Sequence, residues 1–387
     1  MIGEERTIMT DRQTDRQTDR QTGRQTDRRY DLDILRIILT ILVVIGHASY
    51  YTIKTKFGGI QYDQLMQDMM VGDTTFHRVA TYLTDWIYVF HMPAYFCLSG
   101  VVFSMELKRK RYPSVWTLIV TKAKRLLAPM LFVWLVWNIP IKMLAGYYAG
   151  MNHPLLSAVM QIAFPNAVYL WFLEALFCCF VMDYIIIKYI KKQGLQFLIV
   201  GVMALIGLYF YKYTRQIVPF GNPFKWLIWF WLGHSIDDIR KRWSQILKKY
   251  CESETIGIIF ETVLFVLLYA LSFRVLKVQW LLTNTILSFA GVVWIWELAE
   301  FINPILRNKW SDEQILNCSA DTYGIYLWAE PLNYAVLAVA MWKFGIPVFG
   351  TEVGAAVIYF GRIFGSLIIA VGITKGLRKI KFPIRAY

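Results

Sequence analysis

The pattern in this chain that best suits catalysis is an arginine and a histidine eleven residues apart. They are Arg36 and His47, in the otherwise apolar segment YDLDILRIILTILVVIGHASYY. A helix turns about 100° per residue, so both side chains share one stripe, about 16 Å apart along the axis. Histidine can take a proton near neutral pH, and arginine binds phosphate. The pattern predicts a proton acceptor inside a membrane span and a cation at its edge, with Asp33 placed to orient or neutralise Arg36.

The composition indicates that this segment lies in a membrane. Of the 387 residues, 57% are hydrophobic and only 18% are charged, whereas soluble domains have about 25% charged residues. A span needs about 20 apolar residues. The apolar segments predict ten spans, at 33–52, 86–105, 126–146, 167–187, 195–213, 221–239, 256–273, 280–300, 320–342 and 352–374. The expected fold class is an all-α integral membrane bundle of about ten transmembrane helices.

The net charge of +14 is concentrated in the connections that follow even-numbered spans. These connections contain Lys108, Arg109, Lys110, Arg111, Lys122, Lys124, Arg125, Lys188, Lys191, Lys192, Arg240, Lys241, Arg242, Lys248, Lys249, Arg307, Lys309 and the basic tail from Lys375 to Arg385. The connection 147–166 has no Lys or Arg. By the positive-inside rule, both termini are expected in the cytoplasm. Topology and contact with anionic lipid explain the charge without a nucleic-acid partner.

The N-terminal repeat and the cysteines indicate the domain organisation and the expected metal content. Residues 1–29 contain a TDRQ repeat without apolar residues, which predicts a disordered tail ahead of a transmembrane domain at 30–387. The five cysteines have no metal-ligand spacing, and neither a metal site nor disulfides are expected. These cysteines are Cys97, Cys178, Cys179, Cys251 and Cys318.

Five sequence blocks resemble the acyltransferase-3 family of membrane acyltransferases, in that family's order, from residue 31 to about 335. The blocks are LDILR with its following histidine, YVFHMPAYFCLSGVVFS, KAKRLLAP, YLWFLEAL and YGIYLWAEP. The family moves acyl groups, typically acetyl from acetyl-CoA, onto hydroxyls of sugars, glycans and related envelope molecules. The resemblance therefore implies acetyl-CoA as donor, a hydroxylated acceptor, and a bacterial-type plasma membrane.

The resemblance also implies roles for particular residues. His47 is expected to be the general base, with Arg36 as its catalytic companion at the membrane edge. Lys122, Lys124 and Arg125 are expected to bind the phosphates of CoA. The family often has arginine where Lys122 stands, and lysine still pairs with phosphate but lacks the bidentate fork.

The acceptor side is less well defined by the sequence. Asp33, His91, Trp171 and Glu330 are the candidate substrate-binding residues. The family often has histidine at the position of Ala329, and Glu330, next in the chain, is a candidate substitute. Arg362 in the last span is expected to pair with Glu330 or with another carboxylate.

Two alternatives remain open at this stage. Acyl transfer could be direct, with His47 as the base, or it could pass through an acyl-histidine. The same buried His, Glu and Arg would also suit a multi-span exporter without acyl transfer. The absence of a visible internal repeat in the sequence argues against the exporter.

Overall fold

The computed structural model describes residues 28–163, 169–214, 219–251, 253–272 and 281–380. The helices are α1 (Tyr30–His47), α2 (Tyr62–Asp68), α3 (Thr75–Lys108), α4 (Val115–Lys122), α5 (Ala128–Val133), α6 (Ile139–Leu144), α7 (Pro154–Ala163), α8 (Trp171–Tyr189), α9 (Gln193–Thr214), α10 (Pro223–Leu232), α11 (Ile236–Tyr250), α12 (Glu254–Ala270), α13 (Leu281–Lys309), α14 (Asp312–Phe344) and α15 (Glu352–Lys379). Strands β1 (Thr52–Thr55) and β2 (Gly58–Gln61) pair antiparallel in a small hairpin. Apart from residues 28 and 29, the predicted disordered tail lies outside the described residues.

The predicted spans contain helices whose bounds differ from those predicted, and the count of ten spans stays a prediction. Helix α3 begins at Thr75, well before the predicted span at 86, because the Thr74 side chain accepts from the backbone of His77 and caps the helix. Helix α14 begins early for the same reason, with a capping box formed by Ser311 and Gln314. The predicted span 221–239 is broken between α10 and α11.

Three prolines of the predicted spans are accommodated within helices. Pro140 and Pro223 lie in the first turn of α6 and α10, where a missing N–H costs little. Pro331 lies inside α14, which continues past it. Helices in a packed bundle tolerate proline when neighbours satisfy the freed carbonyl.

Five helical segments of the described chain are long and apolar enough to cross a membrane, which makes this a multi-pass membrane protein. They are Thr75–Lys108, Val115–Leu144, Gln193–Phe210, Thr283–Lys309 and Glu352–Lys379. A sixth is added if α11 and α12, bent by 107° at their junction, form one broken span. Helices α1, α8 and α14 are not among these segments, and each has a buried acidic residue within its length: Asp33, Asp183 and Glu330, respectively.

Helix α1 lies at the centre of the bundle. Ile34, Leu35 and Leu39 are fully buried, and the helix packs against α3, α13 and α14. Helix α14 also packs along α15. The buried charged residues of these two helices, Asp33, Asp321 and Glu330, therefore face protein, as expected for ionisable groups at membrane depth.

A second apolar cluster lies beyond the C-terminal end of α1. It joins the hairpin, α2 and the 3₁₀ turn Ile346–Gly350 around aromatic side chains such as Tyr147 and Phe349. The chain leaves α1 at His47 and enters this cluster through Tyr51. One end of the His47 site is thereby closed by folded chain.

Candidate active site

The first turns of α1 hold a small polar network around Arg36. The Arg36 guanidinium donates to Ser319 Oγ at 3.2 Å and lies 3.7 Å from Asp33 Oδ1. Ser319 Oγ in turn donates to the same Asp33 oxygen at 2.6 Å. Arg28 reaches Asp33 from outside at 3.1 Å. Asp33 is thus positioned to orient Arg36 toward α14.

A cavity of about 90 Å³ opens beside this network. Its walls come from α1, α3, α4, the π-helical segment Ala123–Leu127, α8 and α14. Arg36, Lys122 and Arg125 are its basic residues, and Tyr95, Phe172 and Tyr326 supply aromatic walls. We call it the basic cavity. Three of the four cations expected at this edge therefore line one space.

Lys122 contacts a carboxylate as well as the basic cavity. Its ammonium lies 2.8 Å from Glu106 Oε2 and 3.7 Å from the centre of the Phe180 ring. Tyr112 also donates to this Glu106 oxygen, at 2.9 Å. Burial and the nearby carboxylate raise the pKa of the Tyr112 hydroxyl above its usual value. Tyr112 therefore stays a neutral donor, and Glu106 holds Lys122 at the cavity wall.

Lys124 and Arg125 differ in where they lie. Both belong to the π-helical segment Ala123–Leu127, in which the wider turn changes the register of the side chains. Arg125 lines the basic cavity, and its carbonyl accepts from Tyr323 at 2.8 Å. Lys124 is exposed and is not among the described residues that line the cavity. The structure therefore does not bring Lys124 together with the other cations.

His47 is the last residue of α1, whereas the predicted span ran on to residue 52. Its Nδ1 lies 2.7 Å from the Val43 carbonyl oxygen. Because a carbonyl only accepts, Nδ1 is the donor, and the neutral ring keeps its lone pair on Nε2. The histidine thus has the tautomer that a general base requires.

His47 lines a second, smaller cavity of about 10 Å³, which we call the histidine cavity. Thr40, Tyr169, Tyr326, Glu330 and Asn333 also line it. The volume is about that of one water molecule. This space can hold a ligand group about the size of a hydroxyl.

The two cavities share a wall. Tyr326 lines both of them. Thr40 lines the histidine cavity, and its hydroxyl lies 2.6 Å from the hydroxyl of Tyr95, which lines the basic cavity. Three side chains therefore separate the cations from His47, along the stripe that the spacing of Arg36 and His47 predicted.

Glu330 pairs with a lysine that the sequence analysis missed. Lys142 Nζ lies 3.5 Å from Glu330 Oε1, and Lys142 is fully buried. The lysine lies over the rings of Tyr147 and Tyr334, at 4.8 and 4.7 Å from their centres. The sequence feature that could have identified Lys142 is that it is the single lysine within the predicted span 126–146.

Arg362 does not form the carboxylate pair expected of it. Its guanidinium donates to the His47 carbonyl at 2.8 Å and to the Tyr50 carbonyl at 2.7 Å. Both carbonyls lie at or just after the C-terminal end of α1, where the last carbonyl oxygens have no hydrogen-bond partner within the helix. Among the described residues the carboxylate expectation is therefore wrong, because the helix end provides two acceptors closer than any carboxylate.

The remaining candidates, His91 and Trp171, are not among the described residues that line the two cavities. The His91 ring hydrogen-bonds to the Ile87 carbonyl at 2.9 Å, and Trp171 stacks on Trp226 with ring centres 5.2 Å apart. Within the described part of the chain, no group of three His, Cys, Asp or Glu side chains is placed to hold a metal ion.

Comparison with known protein families gives one match. The family model described as "Acyltransferase domain", of the acyltransferase-3 type, matches residues 29–375. No curated protein and no solved structure matches the chain. The matched range includes α1, both cavities and nearly all of α15.

Proposed function

The chain belongs to the acyltransferase family whose domain spans residues 29–375, and from this membership we propose that it is a membrane O-acyltransferase. It moves an acyl group, most simply acetyl, from acyl-CoA to a hydroxyl of a sugar, glycan or related envelope molecule. The observation that carries the proposal is the pair of adjoining cavities, one basic and one holding His47.

The basic cavity suits the donor. Arg36 and Arg125 offer guanidinium groups, which bind phosphate oxygens in charge-assisted pairs. CoA is a cytoplasmic metabolite, so this cavity is assigned to the cytoplasmic side. The thioester then lies toward Tyr326, at the wall between the cavities.

His47 suits the base. Its Nε2 takes the proton of the acceptor hydroxyl as the oxygen attacks the thioester carbonyl carbon. The new C–O bond forms, the C–S bond breaks, and the CoA thiolate receives the proton from the imidazolium. The Glu330 carboxylate lines the same cavity and favours the positive ring electrostatically during this step. An acyl-histidine would instead bond the acyl carbon to Nε2 before the alcohol arrives.

The membrane arrangement is part of the proposal. Ten spans with both termini in the cytoplasm agree with the alternating basic connections. A bacterial-type plasma membrane suits envelope acceptors. Helices α1, α8 and α14 then cross as inner helices, shielded from lipid by their neighbours.

The test uses purified full-length protein in lipid nanodiscs with acetyl-CoA labelled in the acetyl group. Release of free CoA with transfer of label to a membrane glycan or lipid fraction supports the proposal. Movement of a solute across proteoliposomes without loss of acetyl from CoA would favour an exporter instead. Mass spectrometry of envelope glycans with and without the gene then identifies the acceptor.

A further inference from the structure

Two buried polar atoms at the histidine cavity have no hydrogen-bond partner among the described residues. They are Glu330 Oε2 and Asn333 Nδ2, and their residues are 7% and 2% exposed. The two residues are three apart on α14, so they share one face, and both line the cavity with His47. Buried polar atoms are nearly always paired, so an unpaired acceptor beside an unpaired donor indicates a ligand position.

The second polar atom of each side chain already has a partner, and this determines which atoms remain to contact a ligand. Glu330 Oε1 faces Lys142 at 3.5 Å, and Asn333 Oδ1 accepts from Ser366 Oγ at 3.5 Å. The Tyr334 hydroxyl also hydrogen-bonds to the Glu330 carboxylate. A carboxylate has about four acceptor sites, so the cavity is still offered one carboxylate acceptor and one amide donor. Their neighbour in the cavity is the His47 ring, whose Nδ1 is already bonded to Val43.

This combination selects a hydroxyl over an ammonium group. A hydroxyl donates one proton and has two lone pairs, so it can donate to Glu330 or His47 and accept from Asn333. An ammonium has donors only, and the Asn333 amide N–H and the Lys142 charge both oppose it. The small volume, about 10 Å³, admits a hydroxyl but little more of the acceptor.

We propose that Asn333 and Glu330 form the subsite that binds the reacting hydroxyl of the acceptor. The inference rests on the proposed function. Asn333 Nδ2 donates to the hydroxyl oxygen and orients its proton toward the acceptors of the cavity. Bound this way, the oxygen lies on the side of the wall opposite the donor cations.

The experiment compares Asn333→Leu with Asn303→Leu in full-length protein. Asn303 on α13 also has a buried amide oxygen without a partner among the described residues, but it is not among those that line either cavity. Two quantities are measured: the affinity for CoA, and the rate at which labelled acetyl passes to the native membrane fraction. Asn333→Ala, which removes the same donor without added bulk, replaces the leucine variant if that fails to fold.

Asn333→Leu should lower transfer about 5- to 50-fold, the usual worth of a lost buried hydrogen bond and its unpaired partner. CoA affinity should stay within about 2-fold, and Asn303→Leu should leave both quantities near wild type. Mild alkali should release the transferred label, as it does from an ester. Wild-type transfer by both Asn333 variants, or an equal loss of CoA binding, would overturn the inference alone, whereas an alkali-stable amide product would overturn the proposed transfer to a hydroxyl. Absence of transfer by the wild type would overturn the proposed function as well.

Discussion

The Arg362 guanidinium binds the carbonyl oxygens of His47 and Tyr50, at 2.8 and 2.7 Å. It therefore fixes the C-terminal end of α1 through the backbone of the proposed base. A cation at this end also interacts favourably with the helix dipole. Arg362 is 1% exposed, so water cannot replace it. Helix α15 thereby determines where His47 lies without contacting the reacting atoms.

Arg362→Lys is the first test of this arrangement. Lysine can donate to one carbonyl but lacks the planar fork that reaches both. We expect the free energy of unfolding to fall by about 1–3 kcal/mol, the cost of an unsatisfied buried group, and acyl transfer to fall with it. Thermal unfolding and transfer rates are measured together. Lys379→Arg, at the exposed end of the same helix, is the control and should change neither.

The buried pair of Lys142 and Glu330 predicts strong non-additivity. Lys142→Met leaves a buried carboxylate without its cation, and Glu330→Gln leaves a buried ammonium. Each single change should cost about 3–5 kcal/mol of stability. The double variant should recover much of that loss, because no unpaired charge remains. Unfolding temperatures of the four proteins in detergent decide this, and fully additive losses would show that the two residues are not coupled.

Donor binding is tested by two adjacent cations. Arg125→Ala should weaken CoA binding by about 1–3 kcal/mol if its guanidinium pairs with phosphate, whereas Lys124→Ala, on the exposed face, should have a smaller effect. Lys122→Arg should be tolerated. Lys122→Ala is a poorer probe because it also leaves Glu106 buried without its cation. Calorimetric titration with CoA measures each affinity, and equal effects of Arg125→Ala and Lys124→Ala would remove the basic cavity from the donor site.

The sequence predicted the parts of the site that depend on spacing along one helix. Arg36 and His47 face adjoining cavities because eleven residues are close to three helical turns. The end of α1 at His47 could not be predicted, because the partner that satisfies its last carbonyls is Arg362, which is distant in sequence. The same limit applies to Lys142, whose value as a site residue depends on Glu330.

Lys124 and Arg125 show a different limit. In an ideal α-helix, the position of each residue in the sequence would be enough to predict the helix face on which its side chain lies. The π-helical segment Ala123–Leu127 widens the turn and places Arg125, not Lys124, at the cavity. No residue type in KAKRLLAP specifies that wider turn, since it depends on the packing of the segment against α8 and α14.

The membrane orientation has a direct test. Single cysteines are introduced at Lys110 and at Asn152, in a background without the native cysteines. With both termini in the cytoplasm, the Asn152 position should react with an impermeant maleimide added outside spheroplasts, and the Lys110 position should react only after lysis. Labelling of the Asn152 position only after lysis would reverse the orientation and move the donor cavity to the wrong side for cytoplasmic CoA.

The role of His47 is the prediction on which the proposed mechanism depends. His47→Gln keeps a polar side chain of similar size but cannot accept the proton. Acyl transfer should fall about 10²- to 10⁴-fold, the usual contribution of a positioned base, while CoA affinity and unfolding temperature stay near wild type. Wild-type transfer should decline as the medium is acidified through the range in which histidine protonates, because only the neutral ring accepts a proton. The variant's residual rate should lose that dependence. If His47→Gln transfers acyl groups at a near wild-type rate with an unchanged pH profile, His47 is structural, and Glu330, the other proton acceptor of the cavity, becomes the candidate base.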